Sequence, residues 1–205
     1  MRHGYLILAG LVPLPVSAQA PSLPPLLPES EEIALARSAA PPEISGAADI
    51  WVLRRGGHER MVSGTNGAAC IVARDHPESL YPICYDAAAV RTVLPIQLRE
   101  QRMREKGSTE DEIKADIASA VERGELSQPE RGALAYMMSP RQVIFASPAG
   151  PRVGAWQPHV MVYLPNATSA DIGAEQVPGL LGLVEPGSLN THLLIIVKDW
   201  ARPPV

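Results

Sequence analysis

The sequence predicts an α+β domain with a mostly antiparallel sheet and a central helical pair. Three observations carry this. Short apolar runs broken by Gly, Asn and Pro fill residues 49–85; two stretches with four-residue apolar spacing fill 86–124; strand-like runs return between Gln142 and Val197. Strands that flank a helical segment, rather than alternate with helices, belong to the α+β class.

Taken in order, residues 1–20 have the three-part form of a cleavable signal peptide: Arg2 and His3, an apolar stretch from Tyr5 to Val16, then Ala18-Gln19-Ala20. The apolar stretch contains Pro13 and Pro15 and is shorter than the ~20 residues a membrane span needs. No Cys follows it for lipid attachment, and no later run is long enough to span. The expectation is therefore an exported protein, periplasmic or extracellular, without an anchor in its mature chain. Residues 21–28 (PSLPPLLP) are a proline-rich leader, expected to be disordered. Residues 29–205 form one domain long enough to bury a core of its own.

Removal of Arg2 takes the formal charge from −4 to −5. That mild acidity argues against nucleic acid or an anionic membrane as the main partner. An unidentified protein or a small molecule is the expected partner instead.

Glu29 to Ala40 has helical spacing, with Ser30 as its cap and Pro41-Pro42 as its stop. From Asp49 to Arg74 the pattern reads as a β-meander. It comprises Ile50 to Leu53, a turn at Gly56-Gly57, His58 to Val62, a hairpin turn at Asn66-Gly67, and Cys70 to Val72. Ile83-Cys84-Tyr85 follows a proline-punctuated loop. Cys70 and Cys84, the only cysteines, are expected to form a disulfide. In the chain-entropy model, closing so short a loop contributes ~3 kcal/mol.

Asp86 caps the first central helix, whose Val90, Leu94 and Leu98 form one stripe and whose Pro95 kinks or splits it. Gly107 ends it. Ser108 and Asp111 form a capping box for the second, which buries Ile113, Ile117 and Val121 and stops at Gly124. The charges from Arg99 to Glu112 read as a solvated face. Strands are then expected over 142–146 and 152–156, around a proline-glycine loop, and over His159 to Leu164. Residues 166–189 read as a loop with one helical turn after Thr168, and Thr191 to Val197 as a central strand.

The strongest chemical candidate is Trp156-Gln157-Pro158-His159-Val160-Met161. On a strand, His159, Met161 and Tyr163 share one face. Imidazole and thioether together suit copper, with zinc as the other ion to consider, and His192, Met137 and Met138 are possible further ligands if their strands lie alongside. The competing reading makes His159 and Met161 ordinary occupants of a half-buried face. His58, beside a glycine turn, reads as a surface residue. The sequence lacks H-E-x-x-H, G-x-S-x-G and any acidic calcium loop. An enzyme would have to assemble its site from Asp75, His76, Ser139 and His159.

Gly64-Thr65-Asn66-Gly67 with Cys70, Pro82 to Asp86, Ser139 to Gln142 and Pro158 to Met161 together resemble a group of uncharacterised exported bacterial proteins. The resemblance covers roughly Glu31 to Trp200 and implies a bacterial envelope setting but no mechanism. The expected function is accordingly a non-enzymatic binding domain of the envelope, with a copper-type binding protein and an enzyme with a dispersed site as alternatives.

Overall fold

The computed structural model describes residues 26–76, 79–144, 157–173 and 183–202. The signal peptide, most of the proline-rich leader and the loop expected around 147–151 lie outside the described residues.

The chain begins with α1 (Glu29–Arg37) and a short α2 (Pro42–Ser45), then β1 (Asp49–Arg54), β2 (Gly57–Val62), β3 (Ala69–Ala73) and β4 (Tyr81–Tyr85). Helices α3 (Ala87–Thr92), α4 (Leu94–Glu105) and α5 (Glu110–Glu122) follow. The chain returns to the sheet as β5 (Leu134–Met137), β6 (His159–Tyr163), β7 (Leu183–Val184) and β8 (His192–Ile196), with one 3-10 turn at Ala170–Ile172. All eight strands join one sheet in the order β2-β1-β3-β4-β5-β6-β8-β7. Every pairing is antiparallel except β1 with β3. The α+β class read from the sequence is the class observed.

The sheet has a helical layer on each face. On one, Leu35 and Ala36 of α1 pack with Ala39 and Ala40 over Ile50, Val52, Cys70, Val72 and Cys84. On the other, Ala89, Val93 and Leu94 cover Ile71, Ile83, Tyr85, Ala135 and Met161. A third cluster, Ile96 with Ile113 and Ile117, fixes α5 to the outer side of α4. Strands β3 and β4 are buried along their whole length. Cys70 and Cys84 are directly opposed on them, their Cα atoms 4.0 Å apart, and are joined by a disulfide.

Several local expectations are corrected. Asn66-Gly67 does not close a hairpin, because β3 pairs with β1 and not with β2. The chain instead passes over the start of β1, where Gly64 N–H donates to Asp49 (2.6 Å) and Asn66 Nδ2 to the Ile44 carbonyl (2.7 Å). A Cβ on Gly64 would lie 2.4 Å from the Ala47–Asp49 backbone, so the glycine serves close approach. Pro28, not Ser30, precedes the first helix, which ends at Arg37, and Pro42 opens α2 rather than stopping a helix. The capping box lies one residue later than expected, between Thr109 and Glu112. Ala120 takes the buried place expected for Val121. The split near Pro95 is observed, with α3 ending at Thr92 and α4 starting at Leu94. The last long strand is not central: β8 lies between β6 and the two-residue β7, and its Ile195 is 46% exposed.

Candidate functional site

The sheet runs on past the helices, and the space between its β4-β5-β6-β8 half and α4 is a cavity of about 530 Å³. Ligand pockets typically occupy about 300–1,000 Å³ and have mostly apolar linings with few polar groups. Strand register builds the floor. Tyr85, Ala135, Met161 and Leu194 are successive partners across four strands, so they share one face. Ile83, Met137, Met161 and Leu194 line the cavity from that face. Val93 and Ile96 close it from the helical side.

The polar groups come from separate elements. Gln97, Glu100 and Arg104 recur along one stripe of α4, three or four residues apart, and face the cavity. The expected solvated face from Arg99 onward is thus corrected here: Glu100 and Arg104 are largely covered, and Gln101 is buried. Helix α3 packs on β4 and β5 and α4 reaches β2, while the polar stripe of α4 faces the cavity together with residues of β4, β5, β6 and β8. Arg104 bonds Glu100 (3.4 Å) and forks onto Glu110 (2.8 and 3.0 Å). Burial raises the Glu100 carboxyl above the ordinary carboxylate range, against the lowering effect of Arg104 and of the Asn190 side chain. Tyr81 donates to Asp75 Oδ2 (3.1 Å). Burial holds Tyr81 and Tyr163 well above the ordinary phenol range, so both hydroxyls remain protonated.

His159, Met161 and His192, singled out from the sequence, line this one cavity. His159 Nδ1 contacts the Gln157 carbonyl (2.8 Å) and His192 Nδ1 the Asn190 carbonyl (2.7 Å). Each Nδ1 therefore carries the proton and each Nε2 the lone pair. Burial lowers both imidazoles, and both are neutral at pH 7. His192 opposes Tyr163, their ring centres 5.6 Å apart, while His159 opposes Ile196. The two histidines thus stand on either side of the Met161 row, roughly 13 Å apart along the strands by the usual rise per residue. A shared ion would need both rings to lean inward across Met161. Among the described residues no group of three or more His, Cys, Asp or Glu is placed to hold a metal.

The remaining candidates divide. Met137 pairs with His159 and lines the cavity. The Met138 N–H bonds the Ala39 carbonyl (2.9 Å), toward the α1 side. Asp75 is at the cavity, whereas Ser139 is buried against Ser38 (2.7 Å) away from it. His76 is not among the lining residues. A site joining Ser139 to His159 therefore does not form. His58 is half-buried rather than a surface residue. Burial and the nearby Arg74 guanidinium hold its imidazole down to about 4.

Sequence reading missed Tyr81, Glu100, Arg104, Glu185 and Asn190 as cavity residues. The available signal was the four-residue spacing that Glu100 and Arg104 share with the apolar Ile96. Comparison with protein-family models, curated proteins and solved structures found no match to this chain.

Proposed function

We propose that this chain is an exported domain of the bacterial envelope that binds a small organic ligand in the cavity between α4 and the β4-β5-β6-β8 half of the sheet. The cavity itself carries the reading: a concave apolar floor with hydrogen-bonding groups converging from α4, β6, β8 and the segment around Asp75. A binding role rather than catalysis is favoured because Ser139 packs away from His159. The disulfide supports export, since such bonds persist in oxidising compartments. Among the described residues no helix is long and apolar enough to cross a membrane.

The test is native mass spectrometry of protein purified from its own compartment, alongside Met161→Trp, which fills the floor. A bound small molecule present in wild type and absent from the folded variant supports the reading. A ligand retained in the variant overturns it.

A second reading, copper held by His159, Met161 and His192, is favoured by their place on one cavity and by the Nδ1 contacts that turn each Nε2 into the lone-pair nitrogen. Elemental analysis of wild type and His159→Ala decides it: stoichiometric copper lost in the variant establishes this reading, and metal-free protein removes it.

A further inference from the structure

Resting on the binding-cavity reading, we infer that the ligand is an organic cation: a protonated amine on an apolar body. The charges around the cavity point one way. Among the described residues, three carboxyl groups, Asp75, Glu100 and Glu185, line it against a single cationic side chain, Arg104. Arg104 is already engaged, by Glu100 and through two bonds by Glu110. An anionic ligand would find no uncommitted cation among the described lining residues.

Asp75 is the least satisfied of the three. Its Oδ2 accepts from Tyr81, while its Oδ1 is buried without a hydrogen-bond partner, and no cation pairs with the residue among the described residues. Oδ1 itself is covered, so an ammonium in the cavity would meet this carboxylate only after a turn of the Asp75 side chain, and would then supply the positive charge it is short of. The aromatic walls agree. Tyr81 and Tyr163 belong to the lining, and the face of a tyrosine ring attracts an ammonium. The floor of Ile83, Met137, Met161 and Leu194 requires the rest of the ligand to be apolar.

The experiment is titration calorimetry of the whole mature protein with three probes of one shape: 2-phenylethylamine, 2-phenylethanol and phenylacetate. The amine is expected to bind about tenfold or more tighter than the alcohol, as for a charge-assisted hydrogen bond, with phenylacetate weakest. Asp75→Asn, which keeps an acceptor for Tyr81, is expected to erase most of the amine's advantage over the alcohol, with circular dichroism and the thermal midpoint showing that the variant is folded. Alcohol or phenylacetate binding as tightly as the amine overturns the cationic class and leaves the cavity reading standing. Failure of all three probes overturns both. An amine preference that survives in both Asp75→Asn and Glu100→Gln places the amine elsewhere and overturns the inference.

Discussion

Arg74 and Glu32 form a two-pronged ion pair in which neither side chain reaches solvent. The guanidinium donates to both carboxylate oxygens, at 3.1 and 2.9 Å. Arg74 also bonds the Val72 carbonyl (2.8 Å), and Glu32 accepts the Leu53 N–H (2.9 Å). One charge pair thereby ties α1 to β1 and β3. Gln101 of α4 takes the Arg74 N–H (3.2 Å), which extends the link to the opposite layer.

Breaking that pair from one side leaves a buried charge uncompensated, which typically costs about 3–5 kcal/mol. Glu32→Ala is therefore expected to lower the urea midpoint severely. Glu32→Leu combined with Arg74→Met removes both charges and is expected to be the more stable of the two variants. A double variant no better than Glu32→Ala would show that the guanidinium's other bonds, not the ion pair, hold α1 in place.

The disulfide closes a separation of 14 residues. In the chain-entropy model such a loop stabilises by ~3 kcal/mol. Cys70→Ala with Cys84→Ala is expected to lose about that much, and the thermal midpoint of wild type is expected to fall when dithiothreitol is present. Thiol labelling of the native protein is expected to find no free cysteine.

These two features differ in how far the sequence announced them. Two cysteines in a chain whose sequence predicts export leave one simple partner each, so Cys70–Cys84 was legible. Glu32 and Arg74 are 42 positions apart, and nothing in a helix pattern says that its third acidic residue points inward. The same holds for the site. His159 and Met161 were legible because strand alternation puts them on one face. Their cavity was not, because it depends on where α4 crosses the sheet, and that crossing turns Glu100 and Arg104 inward. Strand β5 was overlooked because four residues, Leu134–Met137, are too short for alternation to register. β7, at two residues, leaves no pattern at all. The order β2-β1-β3 was hidden for another reason: Asn66-Gly67 has the composition of a hairpin turn, but a crossing over β1 uses the same small residues.

That crossing gives a sharp test. Gly64→Ala would place a methyl 2.4 Å from the Ala47 carbonyl oxygen and from backbone atoms of Ala48 and Asp49, none of which is the end of a flexible side chain. A cost of about 2–4 kcal/mol is expected. Gly56→Ala is the control, since nothing lies within 4 Å of its added methyl. It is expected to change stability by less than about 0.5 kcal/mol. Equal effects at the two positions in urea denaturation would refute the close-approach account of Gly64.

His58 supplies the pH dependence. Its imidazole is held down to about 4 from an ordinary 6.5, chiefly by burial and then by the Arg74 guanidinium. Between those two values the unfolded chain binds a proton that the folded protein refuses, so stability falls as pH is lowered through the window. Below about 4 both states are protonated and this loss levels off. The slope for one proton approaches ~1.4 kcal/mol per pH unit at its steepest. His159 and His192 are lowered as well and act in the same direction, whereas the raised Glu100 carboxyl acts in the opposite one. Comparison with His58→Gln cancels all three, because they persist in the variant. The stability difference between wild type and His58→Gln is expected to shift against wild type by urea titration as pH falls from 6.5 to about 4. A difference that stays flat across that window would mean that the folded protein protonates His58 as readily as the unfolded chain does, and that its ring is not shielded beside the Arg74–Glu32 pair.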